Sequence, residues 1–181
     1  MNKLNNDKRD INSYVNGNDL DRYLHFLKTT PNERIVYRES ELVGTGEIEP
    51  YFNGYSDTIV ILLGDQNPSG IGHYVVLRRD SADMHVYTYF DCLGDKMPVS
   101  LRSLFPQDSP SHVKYLIRPL MSRTENLCGK YCVSFAMAGN IDIDDYDTIL
   151  RSSKGFTPDQ IINNLVRLNY TDNVIENFPK P

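Results

Sequence analysis

The chain has 181 residues, with 19 Lys plus Arg against 24 Asp plus Glu and a net charge of −5. Hydrophobic residues make up 40% and charged residues 24%, ordinary values for a chain able to bury its own core. The acidic balance argues against a protein whose main task is to coat nucleic acid or an anionic membrane. Apolar runs such as Thr58–Leu63 are far too short to span a bilayer. Residues 1–10 are polar and charged and lack the apolar stretch of a secretory signal. The expectation is a soluble intracellular protein. Three cysteines, Cys92, Cys128 and Cys132, are an odd number without a signal segment, which points to a reducing compartment rather than a disulfide scaffold.

Residues 1–17 are rich in Asn, Lys and Asp and read as a polar N-terminal arm ahead of one domain over residues 18–181. Asn18 or Asp19 is placed to cap a helix carrying Leu20, Tyr23, Leu24 and Leu27 at helical spacing, with Pro31 as its stop signal. Residues 38–55, with Gly44, Gly46, Pro50 and Gly54, read as loop with short extended pieces. Thr58–Leu63 is apolar on both faces and predicts a buried strand. After a turn-rich loop come His73–Arg79, a polar turn at residues 80–83, and a second strand-like run over residues 84–91. Runs so closely joined predict an antiparallel hairpin. Residues 113–118 predict a further strand.

Residues 127–138 are small and apolar almost all round, the pattern of a helix buried on most sides. Asn126 is placed to cap this helix and Gly139 to end it. The acidic run from Asp142 to Asp147 lacks the glycine and terminal Glu of a calcium loop and reads as a solvated helix start. Thr157 to Gln160 forms a capping box, with Pro158 at the first position of a last helix through Ile161, Ile162, Leu165 and Val166. Residues 170–181 read as irregular. The expected class is α+β: a central mixed or antiparallel sheet flanked by helices, with a buried helix opening at Cys128.

Chemistry concentrates at three places. A three-residue turn at residues 81–83 would put Asp91 directly opposite His73, within reach of a carboxylate–imidazole hydrogen bond. A slip of one residue would send Asp91 to the other face. Cys128, at the first turn of a buried helix, feels the positive end of the helix dipole, which lowers a thiol's pKa. A neighbouring imidazole would lower it further, and a carboxylate behind the ring would fix its tautomer. Gly129 lets a substrate backbone approach the sulfur. Cys128 as nucleophile, His73 as base and Asp91 as orienting acid form the candidate site.

These blocks, Gly72-His73-Tyr74, Tyr89-Phe90-Asp91-Cys92-Leu93-Gly94 and Leu127-Cys128-Gly129-Lys130-Tyr131-Cys132, together resemble the adenovirus-type maturation cysteine proteases. That family shares its fold with proteases that process ubiquitin-like modifiers. The resemblance covers roughly residues 58–139 and extends to short versions in virophages and related mobile elements. It implies a cysteine endopeptidase cleaving viral capsid or core precursors through an acyl-enzyme, needing no cofactor or metal. Such an enzyme would act as a monomer in the host cytoplasm or virus factory and be packaged in the virion. Activation by DNA or a peptide is also a family property, for which a pI near 5.3 gives no support.

Two positions depart from the family. Tyr74 stands where the family usually has Trp, and Ser122 and Met121 stand where it has an oxyanion-donating Gln. The expectation is that the Cys128 backbone amide acts with a side chain such as Asn126 or Ser122. Processing of a ubiquitin-like modifier, and a non-catalytic binding protein on the same fold, are the alternatives. Chymotrypsin-like viral cysteine proteases share the residue order but surround the nucleophile with loop, whereas Cys128 opens a helix. Cys132 and Cys92 read as core residues, and His25, His85 and His112 lie outside every block. Cysteine and histidine spacing matches no familiar zinc pattern.

Overall fold

The computed structural model describes residues 17–28, 34–52, 57–66, 72–105, 112–122 and 126–168. Residues 1–16 of the 17-residue polar arm, the stop at Pro31 and the irregular tail over residues 170–181 lie outside them. Helix α1 (Gly17–Tyr23) continues into a 3-10 turn at Leu24–Leu27. It starts at Gly17, ahead of the expected caps Asn18 and Asp19. Strand β1 (Val36–Arg38), helix α2 (Glu39–Thr45) and a 3-10 turn at Glu49–Tyr51 follow. Then come β2 (Thr58–Leu63), β3 (His73–Arg79), β4 (Val86–Phe90), α3 (Val99–Arg102) and β5 (His112–Tyr115). The chain continues through α4 (Cys128–Met137), α5 (Ile143–Ser152) and α6 (Pro158–Leu168).

The fold is α+β, with one five-stranded sheet in the order β1-β2-β3-β4-β5. Strands β2, β3 and β4 are antiparallel, while each outer strand runs parallel to its neighbour. Alternation along the strands builds a core on each face. Val60, Val76 and Phe90 pack with α1, α4, α5 and α6, whereas Ile59, Ile61, Val75, Leu77, Tyr87 and Tyr89 pack with α2 and α3. Covering both faces explains why Thr58–Leu63 is apolar throughout. No helix among the described residues is long and apolar enough to cross a membrane.

Residues 39–45 are a helix where loop was expected. The Glu41 carboxylate takes the Arg38 amide at 2.8 Å, Leu42 is fully buried, and Gly46 at φ 76 is the left-handed C-cap. A glycine that signals loop in the sequence is the end of a helix in space.

The hairpin differs in its turn. Asp80 Oδ1 accepts from the Ala82 and Asp83 amides at 2.7 and 3.1 Å, and Asp83 Oδ1 accepts from His85 at 2.9 Å. These side-chain bonds draw Met84 and His85 into the turn, so β4 begins at Val86. Val76 then pairs with Phe90, which places Asp91 diagonal to His73 rather than directly opposite. A shift of two residues keeps the face unchanged, and a diagonal neighbour remains within reach of long side chains.

Helix α4 is clamped to the sheet by aromatic contacts. Phe90 stacks on Phe135 with centroids 4.3 Å apart, and Tyr146 of α5 meets both rings edge-on. The buried Arg78 guanidinium lies over Phe135 and donates to the Gly139 and Ile141 carbonyls beyond the helix. Those bonds tie the turn that follows α4 to strand β3, so the chain is held at the end of the helix farthest from Cys128.

Candidate active site

His73 opens β3, Asp91 follows the last residue of β4, and Cys128 opens α4. Antiparallel pairing brings the start of β3 to the end of β4, so all three residues gather at one end of the sheet. Close packing fixes the approach to His73: a Cβ on Gly72 would lie 2.4 Å from Leu62 Cδ1 and 2.9 Å from the Leu63 carbonyl oxygen. Only glycine fits there. The end of β2 is anchored as well. Glu39 accepts from the Gly64 amide at 3.0 Å and from Ser100 Oγ, while Asp65 accepts from the amide and hydroxyl of Ser40.

Asp91 is 2% exposed. Its Oδ1 lies 2.8 Å from His73 Nε2 and also accepts the Leu93 amide at 2.8 Å. Gly94 closes the turn by donating its amide to the Asp91 carbonyl at 2.9 Å. Its φ is +72°, and a Cβ there would meet Pro119 N at 2.9 Å. The turn after the acid therefore requires glycine for two independent reasons.

With Nε2 bound to the carboxylate, Nδ1 is the ring nitrogen left to act on the Cys128 thiol. Burial lowers the His73 pKa, but the Asp91 hydrogen bond, the Cys128 hydrogen bond and both negative charges outweigh it and raise it to about 9. Burial likewise pushes the Cys128 thiol up. The His73 hydrogen bond, the Tyr74 backbone amide, the imidazolium charge and the Gly129 amide more than reverse this, and the net direction is down. Both shifts favour a thiolate–imidazolium pair, the reactive form of a cysteine nucleophile.

Neither of the other cysteines shares this environment. Cys92 and Cys132 are buried and free, and desolvation drives both thiols up. Cys92 Sγ lies 3.8 Å from Met121 Sδ. His73, Asp91 and Cys92 do bring three ligand-type atoms within 4.8 Å of one another. The imidazole and the carboxylate of this set already serve each other at 2.8 Å. The fit to a metal is poor.

The predicted cap of α4 is corrected. Leu127, not Asn126, occupies the N-cap and makes no side-chain cap hydrogen bond. Burial of the Leu127 side chain in the helix-face core sets where the helix begins. The N-cap residue thus covers none of the first-turn amides, which suits donation to a substrate oxygen. Asn126 and Ser122, the expected oxyanion partners, are both exposed ahead of α4.

Two features escaped sequence reasoning. The Tyr74 backbone amide acts on the Cys128 sulfur, and backbone groups leave no trace in residue type. Lys130, inside the Cys128 block, is buried and donates to Asn163 of α6. The paired α4 and α6 faces conceal it. No protein-family model matches the sequence, and no curated protein is similar to it, so the case for the site rests on its geometry.

Proposed function

We propose that the chain is a cysteine endopeptidase. One observation carries this reading: a single imidazole joins a buried carboxylate, at 2.8 Å, to a partly exposed thiol at the start of a helix. In this reading the Cys128 thiolate attacks the scissile carbonyl. The oxyanion forms against the Cys128 amide and a donor from residues 122–126. His73 gives its proton to the leaving amine, then draws a proton from the water that hydrolyses the thioester. Asp91 keeps the ring oriented and stabilises the imidazolium.

The resemblance of the three blocks to the adenovirus-type maturation proteases implies viral capsid or core precursors as substrates, cleaved during virion maturation in the infected cell and within the particle. A ubiquitin-like modifier is the alternative substrate. Incubating the protein, beside Cys128→Ala, with a capsid precursor and a panel of ubiquitin-like C-terminal substrates tests both. The expected result is capsid cleavage by the wild type alone. Faster cleavage of the modifier panel would reassign the substrate. No cleavage of either, with an unreactive Cys128, would favour a non-catalytic binding protein.

A further inference from the structure

Between β5 and α4 the chain crosses behind the catalytic acid as an irregular strap over residues 118–122, and its backbone is gripped from four directions. Arg151 of α5 donates one guanidinium nitrogen to the Arg118 and Pro119 carbonyls, at 3.2 and 2.9 Å. The Tyr131 hydroxyl of α4 donates to Asp159 of α6 at 2.8 Å, and its oxygen lies 3.3 Å from the Leu120 carbonyl. The other oxygen of Asp159 accepts the Ser122 amide at 3.5 Å. On the inner side, the Leu120 and Met121 amides both donate to the Cys92 carbonyl, at 2.9 and 3.0 Å. Cys92 is the residue after Asp91, and the backbone of Gly94 lies directly against Arg118 and Pro119.

Arg151 is itself oriented. Its Nε donates to Asp147 Oδ1 at 2.7 Å, and the second oxygen of that carboxylate receives Arg118 at 3.1 Å. A planar guanidinium can hold a carboxylate with one nitrogen and two successive carbonyls with another; an ammonium cannot reproduce that fork. Such a bond pattern is more than an irregular surface connection needs for its own sake.

We infer that Arg151 is a positioning residue: it latches residues 118–122, whose amides hold the Cys92 carbonyl and so keep Asp91 against His73. This rests on the protease reading and adds to it the support that holds the acid in place. Loosening the latch weakens the Asp91–His73 bond, destabilises the imidazolium and lets the Cys128 thiol titrate higher. His73 has Asp91 on one side and Cys128 on the other, so the thiol's titration reports directly on the acid.

The test needs no substrate. Iodoacetamide alkylation of Cys128 is followed against pH in wild type, Arg151→Ala and Arg151→Lys, with and without millimolar guanidinium. The expected result is an acid limb raised by about one pH unit in both variants, roughly tenfold slower alkylation below it, and restoration of Arg151→Ala by guanidinium. An unmoved limb overturns the inference. So does a limb that moves but ignores guanidinium, which would show a merely structural loss. Should Arg151→Ala fail to fold, Arg151→Lys decides by the same limb. A wild-type Cys128 without reactivity near pH 6 would instead bring down the protease reading itself, and this inference with it.

Discussion

One turn of helix separates Cys128 from Cys132, and the two thiols behave oppositely. Cys128 is partly exposed at the first position of α4, where an imidazole and two backbone amides hold its pKa down. Cys132 is buried in the helix-face core, where desolvation holds its pKa up. Cys92, beside Asp91 in sequence, shares the fate of Cys132. Residue type is the same for all three. What differs is that a positive group reaches the Cys128 sulfur together with two backbone amides, because burial alone always favours the neutral thiol.

The largest test of that contrast is deletion. Cys128→Ala should lower peptide turnover by at least about 10⁴-fold, the scale seen when a nucleophile is removed from a catalytic unit. Next, His73→Ala should slow Cys128 alkylation near pH 6 by about 10²-fold, since an ordinary thiol is almost wholly protonated there. Mass-spectrometric mapping should find Cys92 and Cys132 unlabelled in both proteins. Equal labelling of all three would erase the distinction.

Asp91→Asn sharpens the contrast from the far side of the ring. Wild-type turnover should fall on the alkaline side through about 9, as His73 loses its proton. The carboxylate favours the protonated ring, so its neutralisation should move that limb downward, with a rate loss of about 10²-fold at neutral pH. A limb that stays in place would mean that Asp91 does not act on His73. Gly94→Ala should cost about 1–3 kcal/mol in a thermal or denaturant melt, from its positive φ and the contact with Pro119. The smallest effect is expected for Cys132→Ala: about 1 kcal/mol of stability from a small cavity, with turnover nearly unchanged.

Much of this was legible in the residues. The apolar run at β2, the capping box at Thr157, seen at 2.9 and 3.3 Å, and the apolar ring of α4 all carry local signals that survive folding. His73 and Asp91 do meet, although by a different register from the one expected. The turn chemistry of Asp80 and Asp83 outweighed the shortest loop, and the even shift preserved the face. Helix α2 was missed because its sequence is glycine-bearing and polar, and its stability comes from burying Leu42 under the sheet. Helix α3 was also missed, being a single short turn packed through Leu101.

Sequence alone determined the class of fold, the three residues brought together and the order in which the chain presents them, since hydrophobic period and helix-start signals are local. Only the tertiary structure decided which backbone amides reach the Cys128 sulfur, which glycines are obligatory and what packs behind Asp91. Those depend on backbone amides, on the distance of a would-be Cβ from a neighbouring strand, and on an arginine from a later helix reaching two carbonyls. Each is a long-range contact, and pairing distant segments is settled by packing rather than by the residues on either side of them.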